Sequence, residues 1–294
     1  GNAIVYEFVR TYLTRLETGG DTAAETARRL DTGFDRAGVN AITVTLGDPS
    51  TSLEDYTGVL GSIDWWERFL AHYPRLTLCT DRREIEEAYR TSRIALIFAL
   101  QDAGCIDDDR SRLRVLYDRG VRVVQLTYNG ANRIGNGCAV GDKPGLTEFG
   151  REAVREMNEI GIAVDLSHCN VQTTLDAIRL AEAPPLVTHS SCRAVFDHPR
   201  AKSDSELAAL AAADGFFAVY AVPFFLTDRQ RPDFSVLIEH LKHAIEMMGI
   251  ERVGIGTDWG LWSPDVPQEL TRAVVEAARK MGFNRSMVGT IGTA

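Results

Sequence analysis

The sequence predicts an α/β protein whose strands and helices form a single (β/α)8 barrel. Short apolar runs rich in β-branched residues alternate with amphipathic segments, which is the pattern of parallel strands buried on both faces and connected by helices. No long linker separates two halves, and 294 residues suit a barrel that folds as one domain. A doubly wound open sheet is the alternative, because apolar periodicity does not distinguish a closed sheet from an open one.

Eight candidate strands account for the sheet. Seven are nearly continuous apolar runs, at residues 40–46, 94–100, 121–128, 161–168, 185–189, 215–222 and 252–258, and a weaker eighth spans residues 3–9. Amphipathic spacing predicts helices at residues 22–37, 65–73, 82–91, 110–118, 147–160, 172–183, 204–213, 234–248 and 267–281. We therefore expect one barrel domain over residues 1–294. Because the chain does not begin with Met, we also expect it to be trimmed at its ends.

The composition argues against several classes of function. Acidic residues outnumber basic ones by 41 to 32, and no basic cluster offers a surface for nucleic acid or an anionic membrane. No apolar run reaches the ~18 residues of a membrane span, and the first residues do not resemble a signal peptide, so we expect a cytoplasmic protein. The five cysteines never form a CxxC spacing, which indicates reduced thiols.

Polar residues stand at the C-terminal ends of the predicted strands, where a (β/α)8 barrel carries its active site. His168 and His189 end two consecutive strands, and Asp258 ends the last one. Such positions bring side chains close enough to share a divalent metal, and an aspartate there can bind the metal or accept a proton from its water. The alternative is that these histidines only bond to loop backbone. Other polar candidates at the strand ends are Gln101, Tyr128 and Asn129.

Two loops after predicted strands are also candidates. Arg200 follows the strand at 185–189, and its planar guanidinium can either bind a carboxylate through two bonds or remain a solvated charge. The glycine-rich segment 130–145 follows the strand at 121–128. It lacks the glycine spacing and the helix start of a phosphate-binding loop, so we expect it to form a lid or wall over the pocket.

These motifs resemble the membrane (renal) dipeptidase family of metallopeptidases, peptidase family M19, a branch of the amidohydrolase-type TIM barrels. The resemblance runs from about residue 94 to 260 and is densest in LTYN at 126–129, GLTEFGREAVREMNEIGIAVDLSH at 145–168, THSS at 188–191 and GIERVGIGTD at 249–258. It implies a hydrolase that uses zinc. It also places His168 and His189 on ligands of the family's second zinc ion, Asp258 on its aspartate for metal binding and proton transfer, and Arg200 on its substrate-carboxylate arginine.

The sequence departs from the family pattern at several positions. The family's first strand carries a His-x-Asp pair, whereas no histidine precedes His72 here. Gln101 stands where the family has a glutamate that bridges two metal ions, and a neutral amide lacks that charge. Tyr128 replaces a histidine that polarises the substrate carbonyl, and Asp258 is followed by Trp-Gly where the family often has Phe-Asp-Gly. We therefore expect one zinc ion or none in preference to two.

Three functional hypotheses follow. The first is a dipeptidase-like hydrolase of a small amide, lactam or peptide that carries a carboxylate, for which ordinary dipeptides are poor substrates. The second is a non-hydrolytic barrel that binds a small carboxylated ligand, and the third is a metal-free isomerase or lyase; a homodimer stays open in each case. In the first hypothesis the metal ligands are His168, His189 and Asp258, the catalytic groups are Asp258 and Tyr128, and the substrate-binding groups are Arg200, Asn129 and Gln101.

Overall fold

The structure, a computed structural model, describes residues 22–47, 55–141, 143–230 and 232–258. Within these ranges the strands are β1 (Ala41–Thr45), β2 (Leu76–Leu78), β3 (Ile94–Leu100), β4 (Val121–Gln125), β5 (Ala163–Asp165), β6 (Leu186–Ser190), β7 (Phe216–Val219) and β8 (Val253–Ile255). The α-helices are α1 (Thr22–Ala37), α2 (Tyr56–His72), α3 (Arg82–Arg90), α4 (Ser111–Asp118), α5 (Glu148–Ile160), α6 (Val171–Leu180), α7 (Asp204–Ala212) and α8 (Phe234–Met248).

All eight strands belong to one parallel sheet. Its order is β1-β3-β4-β5-β6-β7-β8, and β2 pairs with the first residues of β3. From β3 to β8 each strand pairs with the next one along the chain, because a helix returns the chain to the same edge every time. Over the part of the chain that the structure describes, β8 does not pair with β1. The described strands therefore form a curled half-barrel, and their C-terminal ends all lie on one side.

The predicted strands and helices agree with the structure, with two corrections. Each of the seven strong apolar runs contains a strand, whereas β2 is missing from the prediction because three residues are too few to show a period. The helix predicted at 65–73 begins earlier, at Tyr56, because the Asp55 side chain caps it by accepting a hydrogen bond from the Thr57 N–H. The strand predicted at 3–9 and the helix at 267–281 lie outside the described residues.

The two faces of the sheet are packed differently. Val44, Leu96 and Phe98 are buried in the apolar core that also contains the helices' inner faces. Thr43 and Thr45, which alternate with Val44 along β1, line a cavity of about 320 Å³ on the inner side of the sheet. The polar groups of the site therefore lie on the concave face, at its C-terminal end. None of the described helices is both long enough and apolar enough for a membrane span.

Candidate active site

His168 and His189 meet at the C-terminal ends of β5 and β6. Their Nε2 atoms are 3.0 Å apart, and the two side chains are almost fully buried. The pairing of β5 with β6 places the two strand ends side by side, which explains why residues 21 positions apart come into contact. The structure thus brings together the two histidines that the sequence singles out.

Each imidazole is held through its other ring nitrogen. His168 Nδ1 lies 2.8 Å from Asn129 Oδ1, at the end of β4. His189 Nδ1 lies 2.9 Å from Thr188 Oγ1, and the Thr188 hydroxyl donates to Asp165 Oδ2 at 2.6 Å. Histidines that bind metals through one nitrogen usually bond to a polar group through the other, which orients the ring. The contacts of both rings have this form.

Burial makes both imidazoles poor bases. Burial is the main reason that the pKa of His168 lies well below its usual range, and the nearby Arg200 guanidinium lowers this pKa further. The pKa of His189 is also lowered, first by burial, although the charge of Asp258 opposes the shift. Both rings are therefore neutral at neutral pH, which is the protonation state that a metal ligand requires.

Asp258 lies on the same cavity wall as His189. It follows β8 with a positive φ of 54°, and it shares the cavity lining with Gln101. Burial acts to raise the pKa of Asp258, but the charges of His189 and Arg200 contribute to a net lowering. Asp258 is therefore a carboxylate at neutral pH, placed close enough to His189 to interact with it electrostatically.

Arg200 is buried directly beside the two histidines. Its terminal nitrogens donate to the main-chain oxygens of Ser167 and His189, the latter at 3.1 Å, and only 4% of its surface is exposed. Its Nε atom is buried and has no hydrogen-bond partner among the residues that the structure describes. Arg200 is thus not a solvated surface charge, since it connects the two strand ends and retains an unused donor.

Tyr128, Asn129 and Gln101 surround this pair in different ways. The Tyr128 ring stacks on His168 with centroids 4.2 Å apart, and burial is the main reason that the Tyr128 pKa is raised. Asn129 has its carbonyl oxygen against His168 Nδ1. Gln101 faces the cavity. All three residues therefore lie at the mouth of the half-barrel, as their strand-end positions predict.

The described residues of the glycine-rich segment 130–145 contact the main chain next to the site. The Cys138 N–H donates to the His168 carbonyl oxygen at 2.7 Å, and the Ala139 N–H donates to the Asn129 carbonyl oxygen at 3.0 Å. Gly137 lies so close to β4 that a Cβ atom there would be 2.1 Å from the Tyr128 carbonyl oxygen. The segment therefore packs directly on the residues that hold His168.

Three polar residues of the site, of which Asp102 and Asp165 are buried and Thr188 is half-buried, have no functional role in the sequence-based prediction. Asp165 and Thr188 lie behind His189, as described above. Asp102 accepts hydrogen bonds from the Tyr128 N–H at 3.0 Å and the Asn132 side chain at 2.6 Å, and burial raises its pKa. The available signal was a polar residue within or directly after an apolar strand, since such a residue must find partners when it is buried.

The side chains at the site supply only part of the ligand set of a metal ion. Over the described ranges, no group of three or more His, Cys, Asp or Glu side chains is arranged to hold an ion. Two neutral histidines with converging Nε2 atoms nevertheless fit two ligand positions of a zinc ion, which binds such nitrogens at about 2.0–2.1 Å. The residues present therefore fit one ion with open positions for water or substrate.

The chain is similar in sequence to known proteins over most of its length. The family model described as membrane dipeptidase (peptidase family M19) matches residues 5–275. Dipeptidase verJ of Clonostachys rogersoniana is 32% identical over 211 residues, which cover 70% of this chain and 54% of that protein. An uncharacterised dipeptidase of Schizosaccharomyces pombe is 31% identical over 211 residues, with 70% and 52% covered. The chain spans about half the length of these two curated relatives.

Solved structures show the same architecture. An amidohydrolase from Pseudomonas aeruginosa superimposes with a TM-score of 0.73 at 27% identity, over 79% of this chain and 70% of its own. A metallo peptidase from Rhodobacter sphaeroides, liganded with a phosphinate mimic of the dipeptide L-Ala-D-Ala, gives a TM-score of 0.69 at 21% identity, over 87% and 84% of the two chains. The second likeness concerns the fold alone.

Proposed function

This chain belongs to the membrane dipeptidase family, a family of dipeptidase-type hydrolases, and from this premise we propose that it hydrolyses an amide bond in a small substrate that carries a carboxylate. The observation that carries the proposal is the pair of neutral imidazoles whose Nε2 atoms lie 3.0 Å apart at the mouth of the half-barrel. Two unprotonated ring nitrogens that face each other are suited to a metal ion.

The metal in this proposal is one zinc ion, held by His168 and His189 with Asp258 as a further ligand. Bound zinc lowers the pKa of a coordinated water to about 7 and polarises a carbonyl group. A single ion is favoured over two because Gln101 faces the cavity with a neutral amide where a bridging site needs a negative charge. Ordinary dipeptides are then poor substrates, since much of the charge of a two-metal centre is missing.

The protein's own groups divide the remaining tasks. Asp258 is a carboxylate on the cavity wall and accepts the proton of the attacking water. The Tyr128 phenol, stacked on His168, keeps its proton because its pKa is raised, so it can donate a hydrogen bond to the developing oxyanion. Arg200 has an unused buried Nε–H, which supports its assignment as the group that attracts the substrate carboxylate.

One observation favours a second candidate function. Among the described residues, no group of three or more His, Cys, Asp or Glu side chains is arranged to hold an ion, and Gln101 adds no charge to the cavity. A barrel that binds a small carboxylated ligand without hydrolysing it needs no more than Arg200 and the cavity. The two functions differ in metal content and in turnover.

The test is metal analysis of the purified protein together with two histidine variants. We expect about one zinc per chain, and we expect His168→Ala and His189→Ala to lose it, because a site with so few protein ligands cannot spare an imidazole. His72→Ala is the matched control, since His72 is exposed on α2. Hydrolysis is then assayed on amides, lactams and dipeptides with zinc, manganese and cobalt. No metal and no restored activity would favour the binding protein, and two ions per chain would contradict the single-ion proposal.

A further inference from the structure

The hydrogen bonds on the Nδ1 side of His189 centre on the Asp165 carboxylate. The Ser167 and Thr188 hydroxyls also lie 3.2 Å apart, where either could donate, but the oxygens of Asp165 can only accept. The Asp165 carboxylate receives four donors: the Ser167 N–H at 3.0 Å, the Ser167 hydroxyl at 2.5 Å, the Thr188 N–H at 3.2 Å and the Thr188 hydroxyl at 2.6 Å. Asp165 is only 4% exposed, so these groups satisfy it in place of water. In all four of these contacts the Asp165 oxygens accept and the partner donates.

The position of one hydroxyl proton then determines that of the next. Thr188 has a single O–H, and it is used on Asp165. Thr188 Oγ1 can therefore only accept in its 2.9 Å contact with His189 Nδ1, so the proton of that contact belongs to Nδ1. A neutral imidazole carries one N–H, which leaves His189 Nε2 with a free lone pair.

The His168 ring is also protonated on Nδ1, and here the acceptor is Asn129. Asn129 Oδ1 accepts from the Cys138 thiol at 3.3 Å and lies 2.8 Å from His168 Nδ1. An amide oxygen has no proton to donate, so His168 Nδ1 carries the hydrogen and its Nε2 is also a lone pair. With these tautomers the 3.0 Å contact between the two Nε2 atoms contains no proton, and the two lone pairs repel each other until a cation binds between them.

We propose that Asp165 and Thr188 are positioning residues that hold His189 as the tautomer protonated on Nδ1, and that with Asn129 they present two converging Nε2 lone pairs before any metal binds. The inference rests on the proposed function for its purpose, since the lone pairs are the zinc ligands of that proposal. The geometry itself depends only on hydrogen bonds within the chain. Neither Asp165 nor Thr188 is a metal ligand in this arrangement, because they lie on the Nδ1 side of His189, whereas Nε2 faces His168.

The tautomer can be measured in the full chain after removal of metal with a chelator. With ¹⁵N-labelled histidine, long-range ¹H–¹⁵N correlation spectra distinguish protonated from unprotonated ring nitrogens, and His168→Asn and His189→Asn assign the signals. We expect His189 and His168 to be protonated on Nδ1 and unprotonated on Nε2. A His189 ring protonated on Nε2 would overturn the proposal; the tautomer is read in the unsubstituted protein, and the two variants serve only to assign the signals.

A pair of Thr188 variants adds a second readout. Thr188→Val keeps the shape but removes the hydroxyl, and we expect mixed His189 tautomers and about a 10- to 100-fold loss of zinc affinity. Thr188→Ser keeps the hydroxyl and is expected to preserve both properties. An unchanged tautomer and zinc affinity in Thr188→Val would refute the positioning role.

The experiment separates this inference from the proposed function. If the predicted tautomers are present but the protein neither binds zinc nor hydrolyses an amide, the proposed function fails and the positioning role stands. If zinc binds and hydrolysis proceeds while Thr188→Val changes neither the tautomer nor the affinity, the positioning role fails and the function stands.

Discussion

At the scale of a single residue, the Arg200 guanidinium has two roles. Two of its nitrogens hold the main chain at the ends of β5 and β6, and its Nε is left for a further acceptor. A lysine ammonium is a single point charge and cannot reproduce this set of donors. Position 200 therefore requires a guanidinium, and another positively charged group cannot replace it.

We expect Arg200→Lys to weaken binding of a carboxylate-bearing substrate nearly as much as Arg200→Ala. The expected loss of binding free energy is about 2 kcal/mol or more, because the ion pair between Arg200 and the substrate carboxylate would be shielded from water. The measurement compares kcat/KM or Kd for the substrate and its carboxamide analogue in both variants. Arg229→Lys is the control, since Arg229 makes an exposed ion pair with Glu239. Equal treatment of acid and carboxamide by the unsubstituted protein would show that Arg200 has no role in carboxylate binding.

A buried ion pair connects elements that lie next to the site. Lys202 Nζ is 3.2 Å from Glu206 Oε1 in the first turn of α7, and it donates to the Cys169 carbonyl oxygen and the Thr174 hydroxyl, each at 2.9 Å. Glu206 also completes the capping box of α7 with Ser203. Lys202 therefore connects the first turn of α7 with Cys169, which follows His168, and with α6.

Removing one partner of this pair is expected to be costly. Lys202→Met leaves the Glu206 carboxylate buried without its counter-charge, and we expect the free energy of unfolding to fall by about 3–5 kcal/mol in urea denaturation. The double variant Lys202→Met/Glu206→Gln should recover much of this loss, because it removes both charges. A single variant as stable as the unsubstituted protein would show that the pair is not closed in solution.

The same pair predicts a dependence of stability on pH. Burial acts to raise the pKa of Glu206, but Lys202 and Ser203 outweigh it and the pKa is lowered. A carboxyl group with a lowered folded-state pKa stabilises the protein fully above its unfolded pKa of about 4.3, and this contribution is lost as the pH falls through the folded-state value. The stability difference between the unsubstituted protein and the double variant should therefore shrink on acidification below about pH 4.3. A difference that stays constant would contradict the assignment.

The loop 130–145 depends on a close approach at one glycine. A Cβ atom at Gly137 would lie 2.1 Å from the Tyr128 carbonyl oxygen, whereas one at Gly130 would meet nothing within 4 Å. We expect Gly137→Ala to cost about 1–3 kcal/mol in unfolding free energy, because the loop must shift, and to weaken zinc retention at His168. Gly130→Ala is the matched control in the same loop. Equal behaviour of the two variants would mean that the loop does not pack on β4.

At the scale of the whole molecule, the buried apolar residues form one main cluster. It includes residues from Leu30 in α1 to Met248 in α8, without a break between the first and last elements described. A core shared among the described residues is what a single domain requires, and the domain organisation stays a prediction. We therefore expect one calorimetric transition whose measured enthalpy equals its van't Hoff enthalpy. Two separable transitions would contradict the single-domain prediction.

Much of the architecture could be predicted from local patterns. The apolar runs of β3 to β8 mark strands buried on both faces, and the amphipathic segments between them mark the helices, because both signals depend on residues that are neighbours in the chain. The placement of His168 and His189 at adjacent strand ends follows from the same pattern, since consecutive strands in a series of βαβ units pair with each other.

What remained was decided by contacts between residues that are distant in the chain. The sequence singles out Arg200 but does not show that its guanidinium is buried against the Ser167 and His189 carbonyls, because these bonds depend on how a loop folds back. The link from Asp165 through Thr188 to His189 is likewise invisible, since Asp165 lies on a different strand. Periodicity reports which face of an element is buried, whereas hydrogen-bond direction depends on the atoms that tertiary packing brings within about 3 Å.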